Sequence, residues 1–159
     1  MKDIFTVRYY KSDLLLTYLS VAALMAFFFF ILIFTSNKAL AVLMIVLLAA
    51  TAVVMTVPTF LFYLKVDNDK MYVRSRAGKT YDFSLNDIQN VEHIQQSRGK
   101  YGSRFFLRIK TADNEVILHR SMKGFKELAA YLLNKYDSGE ISTSVISKNC
   151  IKSLKQYIQ

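Results

Sequence analysis

Charge is what the first third of this sequence lacks. No Asp, Glu, Lys, Arg or His lies between Asp13 and Lys38, and none lies between Lys38 and Lys65. A bilayer core about 30 Å thick is crossed by roughly 20 helical residues, and each uncharged stretch is longer than that. Cysteine is nearly absent too: Cys150 stands alone, which excludes an intrachain disulfide. His93 and His119 are the only histidines, so no Cys/His metal cluster is in prospect and no cofactor is expected. Gly-rich phosphate loops and nucleophile motifs are missing as well, which leaves catalysis without a motif to rest on. The acids Asp67, Asp69, Asp82, Asp87, Asp113 and Glu115 fall at turns and strand ends, where polar residues are usually structural.

What is present is oil and positive charge, kept apart. The chain is 53% apolar yet carries a net charge of +9. Residues 14–35 and 39–60 are predicted to be transmembrane helices, behind an N-terminal segment, residues 1–13. The first stretch is too long for a signal-peptide core, and a second follows at once, so it is expected to remain as an anchor. Ser36-Asn37-Lys38 is short enough to make the two spans an antiparallel hairpin. Lys2, Arg8, Lys11, Lys65, Lys70, Arg74, Arg76 and Lys79 flank the outer ends of this hairpin, whereas Lys38 alone sits between the spans. By the positive-inside rule both termini are cytoplasmic, and the chain is a two-span protein of the cell membrane. Neither span contains an ionisable group of the kind that marks an ion or proton path, which argues against transport by the hairpin alone. Alanines at 39, 41, 49, 50 and 52 permit close helix packing, and Pro58 marks where the second helix should end or kink.

Past Pro58 the pattern becomes alternating. Lys70–Arg76 sends Met71 and Val73 one way and Tyr72, Arg74 and Arg76 the other, the two-residue period of a half-buried strand. Strands are also predicted at Thr80–Ser84, burying Tyr81 and Phe83, and at Gln89–Gln96, with a single turn at Leu85–Ile88 between them. Arg104–Thr111 and Glu115–Arg120 form the clearest hairpin, with Phe105, Leu107, Ile109, Val116 and Leu118 facing inward. Asp67-Asn68-Asp69 and Ala112-Asp113-Asn114 carry turn chemistry. A helix capped by Ser121 and running to Tyr136 repeats apolar residues at three-four spacing. A second, basic amphipathic helix over Ile146–Gln159 groups Ile146, Cys150, Ile151, Leu154, Tyr157 and Ile158; it docks either on the protein or on an anionic leaflet. Ile4–Tyr10 alternates as well, as an added edge strand or as a juxtamembrane segment.

About six short strands closed by one amphipathic helix give the order of a PH-like domain. Val66-Asp67-Asn68-Asp69-Lys70-Met71-Tyr72-Val73, the run Phe83–Ile88 followed by Val91, Phe105–Thr111, and Gly124–Leu128 followed by Tyr131-Leu132-Leu133 resemble bacterial PH-domain membrane proteins. These carry two transmembrane helices directly before the domain. The resemblance covers roughly residues 1–136 and implies a membrane α-helical hairpin plus an α+β PH-like domain. That domain would be a small antiparallel β-barrel or sandwich, residues 61–136, capped by a C-terminal helix. Residues 137–159 follow as linker and basic helix. It implies binding or scaffolding rather than catalysis, and it transfers no active-site residues.

Candidate contacts are therefore cations. Lys65, Lys70, Arg74 and Arg76 resemble the basic pattern with which PH domains hold inositol phosphates, while topology alone also places cations just inside a membrane. Arg98, Lys100 and Arg104 belong to the loop Arg98–Arg104, which reads either as a grip for lipid headgroups or a partner, or as a solvated hairpin tip. From Lys65 onward 17 basic residues oppose 10 acidic ones, a surplus that suits adhesion to an anionic leaflet. The expected partners are membrane lipids, a second copy of the chain or another membrane protein; nucleic acid is not expected.

Overall fold

A computed structural model describes residues 3–34, 38–97 and 103–158. They divide into two units, one of Tyr9–Leu61 and one of Met1–Arg8 together with Phe62–Gln159.

The first unit is a pair of helices, α1 (Lys11–Phe34) and α2 (Lys38–Leu61), each of 24 residues and packed against one another. Lys38 opens α2 rather than lying in the connection, and Ser36 and Asn37 fall outside the described residues. Pro58 sits in the last turn of α2, which closes at Leu61. There the missing N–H removes one hydrogen bond near a terminus instead of breaking the helix interior. Thr51 and Thr56 return their hydroxyls to the carbonyls of Leu47 and Ala52, both at 2.7 Å, so neither hydroxyl is left unsatisfied among apolar neighbours. The described residues contain one helical stretch long and apolar enough to cross a membrane, Val42–Leu61, and a shorter apolar stretch at Tyr18–Phe34.

The second unit is α+β, with two antiparallel sheets and two helices. Strands β1 (Ile4–Arg8), β2 (Tyr63–Asp67), β3 (Lys70–Arg74) and β4 (Thr80–Ser84) form one sheet in that order. Strands β5 (Asn90–Ser97), β6 (Ser103–Lys110) and β7 (Glu115–His119) form the other. Among the described residues hydrogen bonding does not close the sheets into a barrel; they are two separate antiparallel sheets. Ile4–Arg8 is an edge strand of the first sheet, with Val7 paired to Leu64 and Arg8 to Tyr63.

Alternation fixes the faces. Val7, Leu64, Val66, Met71, Val73 and Phe83 are buried on one side of the first sheet. Tyr81 shares that parity but stays half-exposed, its hydroxyl donating to the Glu115 carbonyl at 3.3 Å. In the second sheet Val91, Leu107, Ile109, Val116 and Leu118 are buried. Between the sheets a 3-10 turn, Leu85–Asp87, is held by the Asp87 carboxylate, which accepts from the Ser84 N–H at 2.7 Å and the Ser84 hydroxyl at 2.8 Å. These bonds hold Asp87 below its ordinary carboxylate pKa.

The helix predicted from Ser121 starts later. α3 spans Phe125–Asp137, and its N-cap is Gly124 at φ 84. Ser121 contacts His119 Nδ1 at 2.5 Å instead of capping. The reason lies in β1: Arg8 and Lys123 exchange backbone bonds of 3.0 and 2.9 Å, which brings the Thr6 carbonyl so close that a Cβ at Gly124 would collide with it. From α3, Tyr131 donates to the Asn68 carbonyl at 2.8 Å, and Lys135 bridges Asp69 and Glu140 at 2.7 and 2.6 Å. The β2–β3 turn is therefore tied down by α3.

α4 (Lys148–Ile158) packs against α3 and β5, burying Cys150, Ile151, Leu154 and Tyr157. Its apolar stripe docks on protein, which decides between the two readings of that helix. Ile146 precedes α4 and is buried beside Val91, whose N–H donates to the Val145 carbonyl at 2.8 Å. Ile158, grouped with the buried stripe by its spacing, is 41% exposed because it lies in the final turn beyond the covered surface.

Candidate functional site

Antiparallel register decides which of the predicted cations meet. Residues paired across strands point to the same face, and the pairs Arg8↔Tyr63↔Arg74, Thr6↔Lys65↔Tyr72 and Asp67↔Lys70 all lie opposite the buried set. Lys65, Lys70 and Arg74 thus share the outer face of the first sheet, and Arg8 joins them. Periodicity in Ile4–Tyr10 already held the signal for Arg8, since Arg8 has the parity opposite to buried Val7. What it did not hold was the partner strand.

This face is not uniformly positive. Asp67 and Asp82 belong to it, and Lys65 Nζ lies 4.0 Å from the Asp67 carboxylate. An exposed pair of that length contributes little to stability and leaves the ammonium accessible. Arg74 Nε is buried and has no hydrogen-bond partner among the described residues.

The other candidates are elsewhere. Arg76 follows β3 in the turn that Ser75 and Lys79 close with a 2.8 Å backbone bond. Arg104 stands exposed on β6, in the second sheet. Arg98 and Lys100 lie outside the described residues.

A groove of about 590 Å³ reaches from Ile94, Phe106 and Ile117, on the outer parity of the second sheet, to the β3–β4 turn at Ser75 and Arg76. Phe62 and Tyr81 complete its apolar wall. Arg76 is the single cation singled out by the sequence that lines it. Arg108, which also lines it, is taken up by Glu115 at 3.1 Å and Glu92 at 3.5 Å. Burial, and secondarily the Glu115 charge, raise the Tyr81 pKa, so its phenol is a neutral donor. The Ser75 hydroxyl is buried with no hydrogen-bond partner among the described residues. A concave, mostly apolar surface with a few polar groups is the usual form of a small-molecule site, but here the cations of the sequence do not converge on it.

The histidines have local roles. His93 Nε2 meets the Tyr157 hydroxyl at 2.7 Å, and burial lowers its pKa, favouring the neutral ring. His119 Nδ1 touches the Ser121 hydroxyl but also accepts the Ser121 backbone N–H at 3.2 Å, so the nitrogen that would activate the serine is already engaged. Burial pushes the Cys150 thiol up to about 11, which leaves it protonated and a poor nucleophile. No cluster of three or more His, Cys, Asp or Glu able to hold a metal occurs among the described residues.

No family model, no curated protein and no solved structure matches this chain.

Proposed function

We propose that the chain is a non-enzymatic, membrane-anchored PH-like binding or scaffolding module at the cytoplasmic face. In this reading the outer face of the first sheet, with Arg8, Lys65, Lys70 and Arg74, contacts anionic lipid headgroups. The observation that carries it is the point of insertion of the helix pair. The chain leaves the first sheet after Arg8 and re-enters at Tyr63, and these two residues are partners across β1 and β2. A hairpin in lipid would hold the first sheet by two adjacent connections, at the end of the strands where Arg8 and Arg74 lie.

Three further observations support the reading. Each helix of 24 residues is about 36 Å long, against a hydrocarbon core of about 30 Å. Large apolar side chains face outward along both: Phe34 is 72% and Val54 71% exposed, a surface that soluble monomers rarely present. Six strands, β2–β7, followed by α3 are compatible with the order expected of a PH-like domain.

Near an anionic leaflet each cation gains about 1 kcal/mol, offset in part by Asp67 and Asp82. The test uses the full chain in nanodiscs of phosphatidylcholine with and without phosphatidylglycerol. Hydrogen exchange over β2 and β3 is expected to slow with the anionic lipid, and the Lys65→Gln/Lys70→Gln/Arg74→Gln variant is expected to lose that response. Exchange indifferent to lipid charge would remove the headgroup contact from the proposal. Carbonate extraction and reporters at either terminus test the anchor and its orientation.

A second reading, an accessory subunit assembled through the hairpin, is favoured by a concavity of about 400 Å³ between α1 and α2, lined by Val21, Leu24, Met44, Leu47, Leu48, Thr51 and Ala52. Its two small members, Thr51 and Ala52, would let a third helix approach. Crosslinking in native membranes separates the readings: recovery of the monomer alone counts against assembly.

A further inference from the structure

Alternation makes the outer face of an antiparallel sheet polar where water covers it. The first sheet obeys: Lys65, Asp67, Lys70 and Asp82 lie opposite its buried side chains. The second does not. Ile94 and Phe106 are cross-strand partners, and Ile117 is the diagonal neighbour of Phe106, because Phe106 pairs with His119 and Arg108 with Ile117. Residues so related share a face and lie within about 7–8 Å of one another. Ile117 is 42% exposed while Leu118 beside it is fully buried on the opposite face. An apolar strip therefore crosses all three strands on the side where charge is expected.

This strip is the floor of the groove of about 590 Å³, a size within the range of about 300–1,000 Å³ usual for small-molecule sites. The other wall is one end of the first sheet. The pairs Tyr63↔Arg74 and Arg74↔Thr80 form the last row there, and Phe62, Ser75 and Tyr81, each next in the chain to a member of that row, line the groove. The Tyr81 hydroxyl ties this wall to β7 at the Glu115 carbonyl, 3.3 Å away. The Ser75 hydroxyl is buried without a hydrogen-bond partner among the described residues, and Arg76, next in the chain, brings a positive charge to the same groove. An unmet buried hydroxyl is costly, and a ligand oxygen would meet it. Arg108 and Glu115 offset each other at 3.1 Å, so Arg76 sets the sign of the lining charge.

The geometry points to a binding site for a long-chain fatty-acid anion, its carboxylate on Arg76 and Ser75 and its chain along Ile94, Phe106 and Ile117. An apolar strip with one surplus cation in the same groove favours an amphiphilic anion over a neutral lipid, which leaves the cation unmatched, and over a small polar anion, which leaves the strip uncovered. The supply of this ligand rests on the anchored reading: Phe62, in the groove wall, directly follows Leu61 at the end of α2, so the leaflet is the source. The site itself is distinct from the basic outer face of the first sheet and does not need that face to bind headgroups.

The full chain in phosphatidylcholine nanodiscs is irradiated with palmitate that carries a photoactivatable diazirine near its chain end, and the labelled residues are mapped by mass spectrometry. Label is expected at Ile94, Phe106 or Ile117 as well as along α1 and α2. Excess palmitate is expected to displace the groove label, and methyl palmitate, which lacks the charge, is expected to leave it. Loss of a charge-assisted bond in Arg76→Gln is expected to raise the palmitate needed for half-maximal groove labelling about tenfold. Ile117→Glu, at an exposed position, is expected to abolish the groove label, and Lys152→Gln, on α4, to leave it unchanged. Thermal melting of each variant distinguishes a lost site from a lost fold. Label on the helices without the groove overturns the fatty-acid site and leaves the anchor standing; label in the groove without the helices supports the site and counts against the anchor; label on neither overturns both. Displacement by methyl palmitate, or native labelling of folded Arg76→Gln, also overturns the site. Crosslinks from residues 115–117 to a second copy in the absence of palmitate would assign the strip to protein and overturn it as well.

Discussion

The two units of this chain use the same apolar residue types in opposite ways. Leu64, Leu107 and Leu118 of the sheet unit are fully buried, while Leu19, Phe29 and Val46 of the helix pair face outward at around 60% exposure. Burial of one leucine side chain is favourable by about 1.5–3 kcal/mol in water. Burial in water accounts for the sheets, while the outward apolar side chains of the helices are what the proposed lipid anchor would cover.

That contrast can be broken most forcefully in the core. Leu107→Ala removes a fully buried side chain between β6 neighbours, and we expect a loss of about 2–5 kcal/mol in thermal unfolding of the sheet unit. Membrane partitioning should stay as it was. Val46→Arg is the reciprocal change. At an outward position in water it would be nearly neutral, whereas near the centre of a span it costs about 2.5–3.5 kcal/mol. We expect the carbonate-resistant fraction to fall while the melting temperature of the sheet unit holds; an unchanged fraction would count against lipid around α2.

A smaller effect sharpens the contact between β1 and α3. Gly124→Ala combines a left-handed backbone, costing about 1–2 kcal/mol, with a collision at the Thr6 carbonyl. Gly78→Ala has a similar φ but open space around it, so it should cost the backbone term alone. Equal melting temperatures for the two variants would mean that β1 yields freely.

The smallest effect concerns pH. Burial lowers the His93 pKa, so the unfolded chain takes up a proton first as pH falls. The stability owed to neutral His93 is complete above its ordinary value of about 6.5 and is lost as pH drops through the lowered folded value. Tyr157 and Arg120 of the packed elements face or adjoin this ring. Melting of the native chain should therefore fall between pH 7 and pH 5 by more than that of His93→Gln.

Much of this architecture was legible because its causes are local. The uncharged stretches, the two-residue period of β3, the β6–β7 hairpin and the three-four spacing of α3 each follow from neighbours along the chain. The site was less legible. Lys65, Lys70 and Arg74 converge because register puts them on one face, whereas Arg104 has the same charge and lies on another sheet.

By itself, then, the sequence determined which segments alternate, which are uncharged, and which side of each strand is apolar, since side-chain parity and hydropathy are written residue by residue. Tertiary structure decided that β1 pairs with β2 across the whole of residues 9–62, that Gly124 rather than Ser121 caps α3, and that α4 covers His93. Backbone hydrogen bonds between distant strands carry no residue code. Only the packing of the complete chain selects among the pairings that parity allows.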